Sequence, residues 1–205
     1  MNTQKFNGQR LKEALQFREK KMTELADETG ISKQSLSLYA NDGNVPPFDN
    51  VIKIARALEF PTDFFMSEDL CTASTGNTYF RSQASATKKS RNAQKIKLEY
   101  VSKIYEVILN YMNVPELNIP DTSVINIPED ISNVDSDEAI SEIEKLAKLI
   151  REHWDLGNGP IDNLQYALQS NGIIVTGFRD VDTNIDAFSQ QITIDGKIVY
   201  SIALA

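Results

Sequence analysis

The sequence predicts a mainly α N-terminal unit, then a long helical segment, then an α+β unit that is incomplete because it ends inside a strand. Three observations carry this. Residues 25–39, LADETGISKQSLSLY, give two short amphipathic helices separated by Gly30. From about Ala84 to Met112 the apolar residues Leu98, Val101, Tyr105, Ile108 and Met112 recur every three or four positions, the period of one helix face. After Asn171-Gly172 the pattern becomes extended, with β-branched runs on either side of Asp195-Gly196, a pair suited to the positive φ angles of a two-residue hairpin.

In the first helix of the pair Leu25 and Ala26 make the apolar face, and Ala26 is small enough to let the helices cross closely. Gly30 ends that helix where a residue with positive φ is usually needed. Ile31 returns to the core, and Ser32 caps the second helix. Leu36 and Tyr39 then face inward, leaving Lys33, Gln34 and Ser37 outside with Leu38 beside them. An exposed run of Lys, Gln and Ser at the start of a helix is what a reader of the DNA major groove requires. A solvated face of a structural corner has the same polarity.

Ser67 to Thr78 is rich in Ser and Thr without apolar periodicity, and reads as a linker. Tyr79-Phe80-Arg81-Ser82 leads into the 84–112 helix, which Pro115 and Pro120 close. Val124 to Asp135 reads as a loop, with Asp135 or Ser136 capping a helix to about Leu156. On it Ile140, Ile143, Ala147, Ile150 and Trp154 form one stripe, the mark of a core-facing helix. Gly157 to Pro160 break it, and Ile161 to Ser170 make a shorter helix with Leu164, Ala167 and Leu168 inward. Ile173 to Phe178 read as a strand, Asp186 to Ser189 start another, and Gln191 to Ile194 with Lys197 to Leu204 flank the hairpin signal. The resulting domains are 1–66, a linker at 67–78, a helical connector at 79–120 and an α+β domain at 121–205.

The net charge of −8 is unevenly placed: residues 1–66 are neutral, 67–120 carry +2 and 121–205 carry −10. The acidity therefore does not veto nucleic-acid binding by the N-terminal part. Arg81, Lys88, Lys89, Arg91, Lys95, Lys97 and Lys103 stand against Glu99 alone between 81 and 103. Such a cluster suits auxiliary phosphate contacts, above all from Lys88, Lys89 and Arg91, or equally a solvated face docked on the acidic third block. No apolar run reaches the eighteen or so residues that span a bilayer, and no apolar signal region follows Met1, so a cytoplasmic chain with no membrane partner is expected. Cys71 is the single cysteine and has no metal-ligand spacing around it.

Arg10-Leu11-Lys12, Leu25-Ala26, Gly30-Ile31-Ser32, Ser37-x-Tyr39, Pro46-Pro47 and Ile54-Ala55-x-Ala57-Leu58 together resemble the five-helix Xre/Cro repressor domain over residues 6–66. The resemblance implies a transcriptional regulator of double-stranded DNA. It puts Lys33, Gln34 and Ser37 at base-facing positions and Asn41 at a phosphate contact, with Ser32 and Ser35 in the same DNA-binding set. It also implies pairing over two half-sites, so a homodimer is expected. Met22 stands where this family often has a phosphate-binding Gln, and Ala40 where it usually has Glu.

Residues 79 to 205 resemble, more loosely, the N-terminal portion of an ImmA/IrrE-type metallopeptidase domain. The matching residues are Tyr79-Phe80-Arg81-Ser82, the helix from Ala139 to Trp154, Gly172-Ile173-Ile174-Val175 and Asp186-Ala187-Phe188-Ser189. That family's next element is a helix with His-Glu-x-x-His, which this sequence lacks. A zincin site needs two histidines one turn apart, a third ligand and an intervening Glu, whereas His153 is the single histidine and Trp154-Asp155-Leu156-Gly157 follow it. Neither catalytic nor metal-binding residues are expected in this chain. Zinc enters only if the native protein continues past Ala205, in which case the chain is a fragment of a peptidase that cleaves a repressor or other partner. A further alternative is an antitoxin-like module whose partner is a toxin protein. No glycine pattern forms a phosphate loop, and Asp180, Asp182 and Asp186 are expected to solubilise loops.

Overall fold

The computed structural model describes residues 5–68, 71–80, 87–121, 137–178 and 187–204. The N-terminal unit is built from α1 (Gly8–Phe17), α2 (Met22–Thr29), α3 (Lys33–Ala40), α4 (Phe48–Leu58) and a single 3-10 turn, Thr62–Phe65. The expected five helices are thus four α-helices and a 3-10 turn, in which Phe64 packs on the Phe60 ring and Phe65 on those of Phe6 and Phe60. Phe65 is fully buried and stacks on Phe6, and Leu11, Leu25, Leu36, Ile54 and Leu58 complete the core at 0% exposure. Each such side chain contributes about 1.5–3 kcal/mol by leaving water.

Two cations at the end of α1 close α4. Arg18 donates from Nε to the Leu58 carbonyl at 2.8 Å and from Nη2 to that of Glu59 at 2.9 Å, while Lys20 Nζ reaches the Ala57 carbonyl at 2.8 Å. These carbonyls belong to the last turn, where helix geometry leaves acceptors unpaired.

The C-terminal unit contains β1 (Ser74–Phe80), α5 (Lys88–Leu109), α6 (Asp137–His153), α7 (Leu164–Ser170), β2 (Ile173–Gly177), β3 (Ala187–Ile194) and β4 (Lys197–Leu204). The strands form one mixed sheet in the order β1-β3-β4-β2, with β2 parallel to β4 and the other pairs antiparallel. The hairpin expected at Asp195-Gly196 is present, both residues having positive φ (48° and 76°). Side chains alternate along β3, so Phe188, Gln190, Ile192 and Ile194 face inward. Phe188 stacks between Phe80 and Phe178 at 5.4 and 5.9 Å, and Leu98 and Val101 of α5 pack on this cluster.

Several expectations are corrected. The stretch 67–78 is not wholly linker: Ser74 to Thr78 belong to β1, the edge strand paired with β3. Backbone hydrogen bonds to a partner more than a hundred residues away make it a strand, and they leave no trace in side-chain pattern. The long helix begins at Lys88, capped by the Thr87 hydroxyl, and ends at Leu109, so Met112 lies beyond it. On α6 Ile140 and Ile143 are 43% and 47% exposed, not core-facing. Periodicity shows which face of a helix is apolar, and α6 makes few contacts with other described elements. Leu164 is exposed as well, since the short α7 presents Ala167 to β2. The loop 124–135 and its cap, Arg81-Ser82, and Asp180, Asp182 and Asp186 lie outside the described residues.

The two units are joined by packing. Tyr100 of α5 donates its hydroxyl to Glu13 Oε2 at 2.9 Å, and the same oxygen accepts from Arg10 Nη1 at 3.1 Å. Around this network Phe17 and Phe64 set their rings against Tyr100 at 5.7 and 6.1 Å. Burial, the Glu13 charge and the hydrogen bond to it all push the Tyr100 hydroxyl well above its ordinary pKa, keeping it a proton donor.

Candidate nucleic-acid interface

The site is assembled by α2, Gly30 and α3. Gly30 has φ 69° and its N–H bonds the Ala26 carbonyl, which ends α2 in the left-handed conformation that glycine adopts without strain. The next step is fixed by a residue that pattern reading passed over. Buried Thr29 donates its hydroxyl to the Leu25 carbonyl at 2.6 Å and accepts from the Ile31 N–H at 3.3 Å, so it staples the turn. Ser32 then caps α3, its Oγ accepting from the Ser35 N–H at 3.1 Å and lying 2.9 Å from the Ser35 hydroxyl. Ser32 and Ser35 are thereby occupied in shaping the helix start.

With Ile31, Leu36 and Tyr39 buried, the opposite face of α3 is exposed at Lys33, Gln34, Ser37 and Leu38. The expected base-facing residues therefore share one open surface. Asn41 is exposed too, but its Nδ2 donates to the Ser37 carbonyl at 2.9 Å, so one of its two amide hydrogens is committed to the helix end.

The far end of α3 is seated on α1. Asp42, at φ 54°, accepts from the Gly8 N–H at 3.0 Å. A Cβ built on Gly8 would stand 2.4 Å from the Tyr39 carbonyl oxygen, so only glycine permits this approach. Asn50 of α4 donates to the Tyr39 hydroxyl at 3.3 Å. Such anchoring at both ends holds the exposed edge as a rigid surface.

At the start of α2, Glu24 accepts from the Lys21 N–H at 2.6 Å, and that hydrogen bond, helped by Lys89, Lys21 and Lys20, holds its carboxyl below the usual range. Met22, half-buried, brings no polar group to this end. Of the auxiliary residues, Lys88 and Lys89 are exposed and Arg91 half-buried on the first turns of α5.

His153 lies elsewhere. Its Nε2 is 2.7 Å from Asn118 Oδ1, beside Trp154, whose indole donates to the Asn118 carbonyl at 2.7 Å. Cys71 is half-buried next to Glu106. Among the described residues no group of three His, Cys, Asp or Glu could hold a metal ion, and no helix is long and apolar enough to cross a membrane.

Residues 11–65 match the family model described as helix-turn-helix. No curated protein and no solved structure matches the chain. The helix-turn-helix match supports a DNA-binding transcriptional regulator in general, while the metallopeptidase resemblance of residues 79–205 finds no support in these comparisons.

Proposed function

We propose that the helix-turn-helix domain makes this chain a sequence-specific regulator of transcription, with α3 lying in the major groove of double-stranded DNA. The observation that carries this reading is the exposed edge Lys33, Gln34, Ser37 on a helix fixed at both ends, by the Ser32 cap and by the seat of Tyr39 on Gly8. Lys33 and Gln34 have the donor groups that pair with guanine and adenine edges in the major groove, and exposed Leu38 suits a thymine methyl. Asn41 keeps one amide hydrogen for a phosphate. Ser32 and Ser35 act by capping, the Ser35 N–H being taken up by the Ser32 hydroxyl.

One such module reads only a few base pairs, so the working form is a homodimer over two half-sites. In this reading the α+β unit holds no zinc-peptidase site within these 205 residues, because one histidine cannot supply a two-histidine zinc helix. The test is an unbiased selection of duplexes by the purified chain at low ionic strength. A consensus should emerge, and Lys33→Ala or Gln34→Ala should each weaken its binding by about 1–3 kcal/mol and relax the preference at one position. Unchanged discrimination in both variants overturns the assignment of α3 as the reader.

A further inference from the structure

We propose that the first two turns of α5 form a second phosphate-binding edge, which extends the duplex contact from the start of α2 along the DNA backbone. The inference rests on the reading that α3 enters the groove.

The structure divides the cations of α5 into two sets. Lys97 lies over the Phe17 ring of α1 at 5.8 Å and Lys103 over the Tyr100 ring of its own helix at 5.3 Å, so both are engaged with aromatic rings. Lys88, Lys89, Arg91 and Lys95 make no ion pair among the described residues. Lys88, Lys89 and Lys95 are exposed. Glu24 lies near Lys89 and Glu99 near Lys95, but neither closes an ion pair among the described residues, so the cluster keeps a net positive charge that an external anion relieves.

Their placement is continuous. One open cleft of about 340 Å³ is lined by Lys88, Arg91, Asn92 and Lys95 with Thr78 and Phe80, and no carboxylate lines it among the described residues. A second, of about 320 Å³, lies between α5 and the α1–α2 corner, where Lys89 and the same Asn92 face Lys20, Lys21 and Glu19. Asn92 borders both clefts, so they adjoin along the first turns of α5. Within the second cleft Lys20 is held by Glu28 at 2.7 Å and by the Ala57 carbonyl, which leaves Lys21 and Lys89 to meet an anion. The nearby Glu24 carboxylate is turned onto the Lys21 N–H.

This edge begins where DNA backbone is expected. In a helix-turn-helix the first helix of the pair crosses the backbone, and here that helix starts at Met22, whose side chain cannot bind phosphate. Lys21 and Lys89 put charge at the same place. From Lys88 to Lys95 the helix advances about 10 Å at 1.5 Å per residue, which exceeds the roughly 3.4 Å of duplex axis per charge of one strand and so spans more than one phosphate. An open edge of this length, continuous with the α2 end, fits successive backbone phosphates better than one enclosed small anion. The Tyr100–Glu13–Arg10 network fixes α5 on α1, so the edge keeps its place relative to α2.

The test uses the full chain and the triple variant Lys88→Gln, Lys89→Gln, Lys95→Gln, three exposed positions, with thermal unfolding as a check on folding. Dissociation constants are measured from 50 to 200 mM KCl for the selected duplex and for a random-sequence duplex of equal length. The edge predicts that the variant binds both duplexes more weakly by a similar factor, about tenfold or more at 100 mM. Its slope of log K against log salt should be shallower by about 2.7 when all three lysines meet phosphates, since each lost phosphate contact removes roughly 0.9. An unchanged slope, with the preference still relaxed by Lys33→Ala, overturns the edge while the reading of α3 stands. Thermal stabilisation of the wild type but not the variant by inorganic phosphate, with duplex binding unaltered, overturns it in favour of a small anion. Absence of any duplex preference would show in the wild type itself and would count against the parent reading, before a variant is compared.

Discussion

Ser32 shows how one hydroxyl governs the candidate interface. It accepts from the Ser35 N–H, and its own position sets where Lys33 enters the helix and hence which way Lys33 and Gln34 point. Ser32→Ala should lower unfolding free energy by about 1 kcal/mol, within the 0.5–2 range for lost caps. Chemical denaturation checks this, and a variant as stable as wild type would mean that the cap contributes nothing. The cap was legible in sequence because Ser before an amphipathic run is a local signal. Thr29 was not, since a threonine in the last turn of a helix announces neither its burial nor its bonds to Leu25 and Ile31. Gly8 is similar: the residue pattern shows a glycine near a helix start, but the 2.4 Å approach to the Tyr39 carbonyl depends on where α3 arrives.

Among the elements, α5 has two working faces. Leu98 and Val101 cover the sheet, while Ala93, Ile96 and Tyr100 turn to other neighbours, with Tyr100 on Glu13 of α1. The periodic stripe from Leu98 to Ile108 revealed the first face. The second mixes small, aromatic and charged side chains, so no period marks it. The Tyr100 hydroxyl bonds a carboxylate, a class of hydrogen bond that contributes about 1.5–3 kcal/mol. Tyr100→Phe should destabilise the chain by that order, and a double-mutant cycle with Glu13→Gln should show coupling of the two sites. Purely additive effects would mean that the bond does not tie the units together. On α6 the lesson is reversed, because a clear stripe at Ile140 and Ile143 is exposed. Amphipathic spacing is a property of the segment, whereas burial requires a partner.

Over the whole molecule, charge and pH link the segments. Glu106 of α5 gathers the Thr72 N–H at 2.9 Å, the Thr72 hydroxyl at 2.8 Å and the Ala73 N–H at 3.0 Å, fastening the chain just before β1. Burial raises its carboxyl pKa, but these hydrogen bonds outweigh that and leave it below the ordinary value. A depressed folded value means the stabilisation is complete above the unfolded carboxylate pKa, near 4.3, and is lost as pH falls through the folded one. Glu106→Gln should therefore lower Tm at pH 7 by a few degrees, given about 1 kcal/mol for the bonds. The gap to wild type should close as the medium is acidified below about pH 4. A gap that persists at pH 2.5 would exclude the carboxylate charge as its cause.

The sequence by itself determined the helix pair, its turn and the polar edge of α3, because Gly30, Ser32 and the apolar spacing from Leu25 to Tyr39 act within fifteen residues. It determined the β3–β4 hairpin for the same reason, through Asp195-Gly196. Only the tertiary structure decided that Ser74 to Phe80 complete the sheet, that α5 lies on α1, and which lysines of α5 are spent on aromatic rings and which face outward. Those outcomes depend on partners far away along the chain, and a backbone edge or a buried hydroxyl carries no periodic signal before its partner arrives.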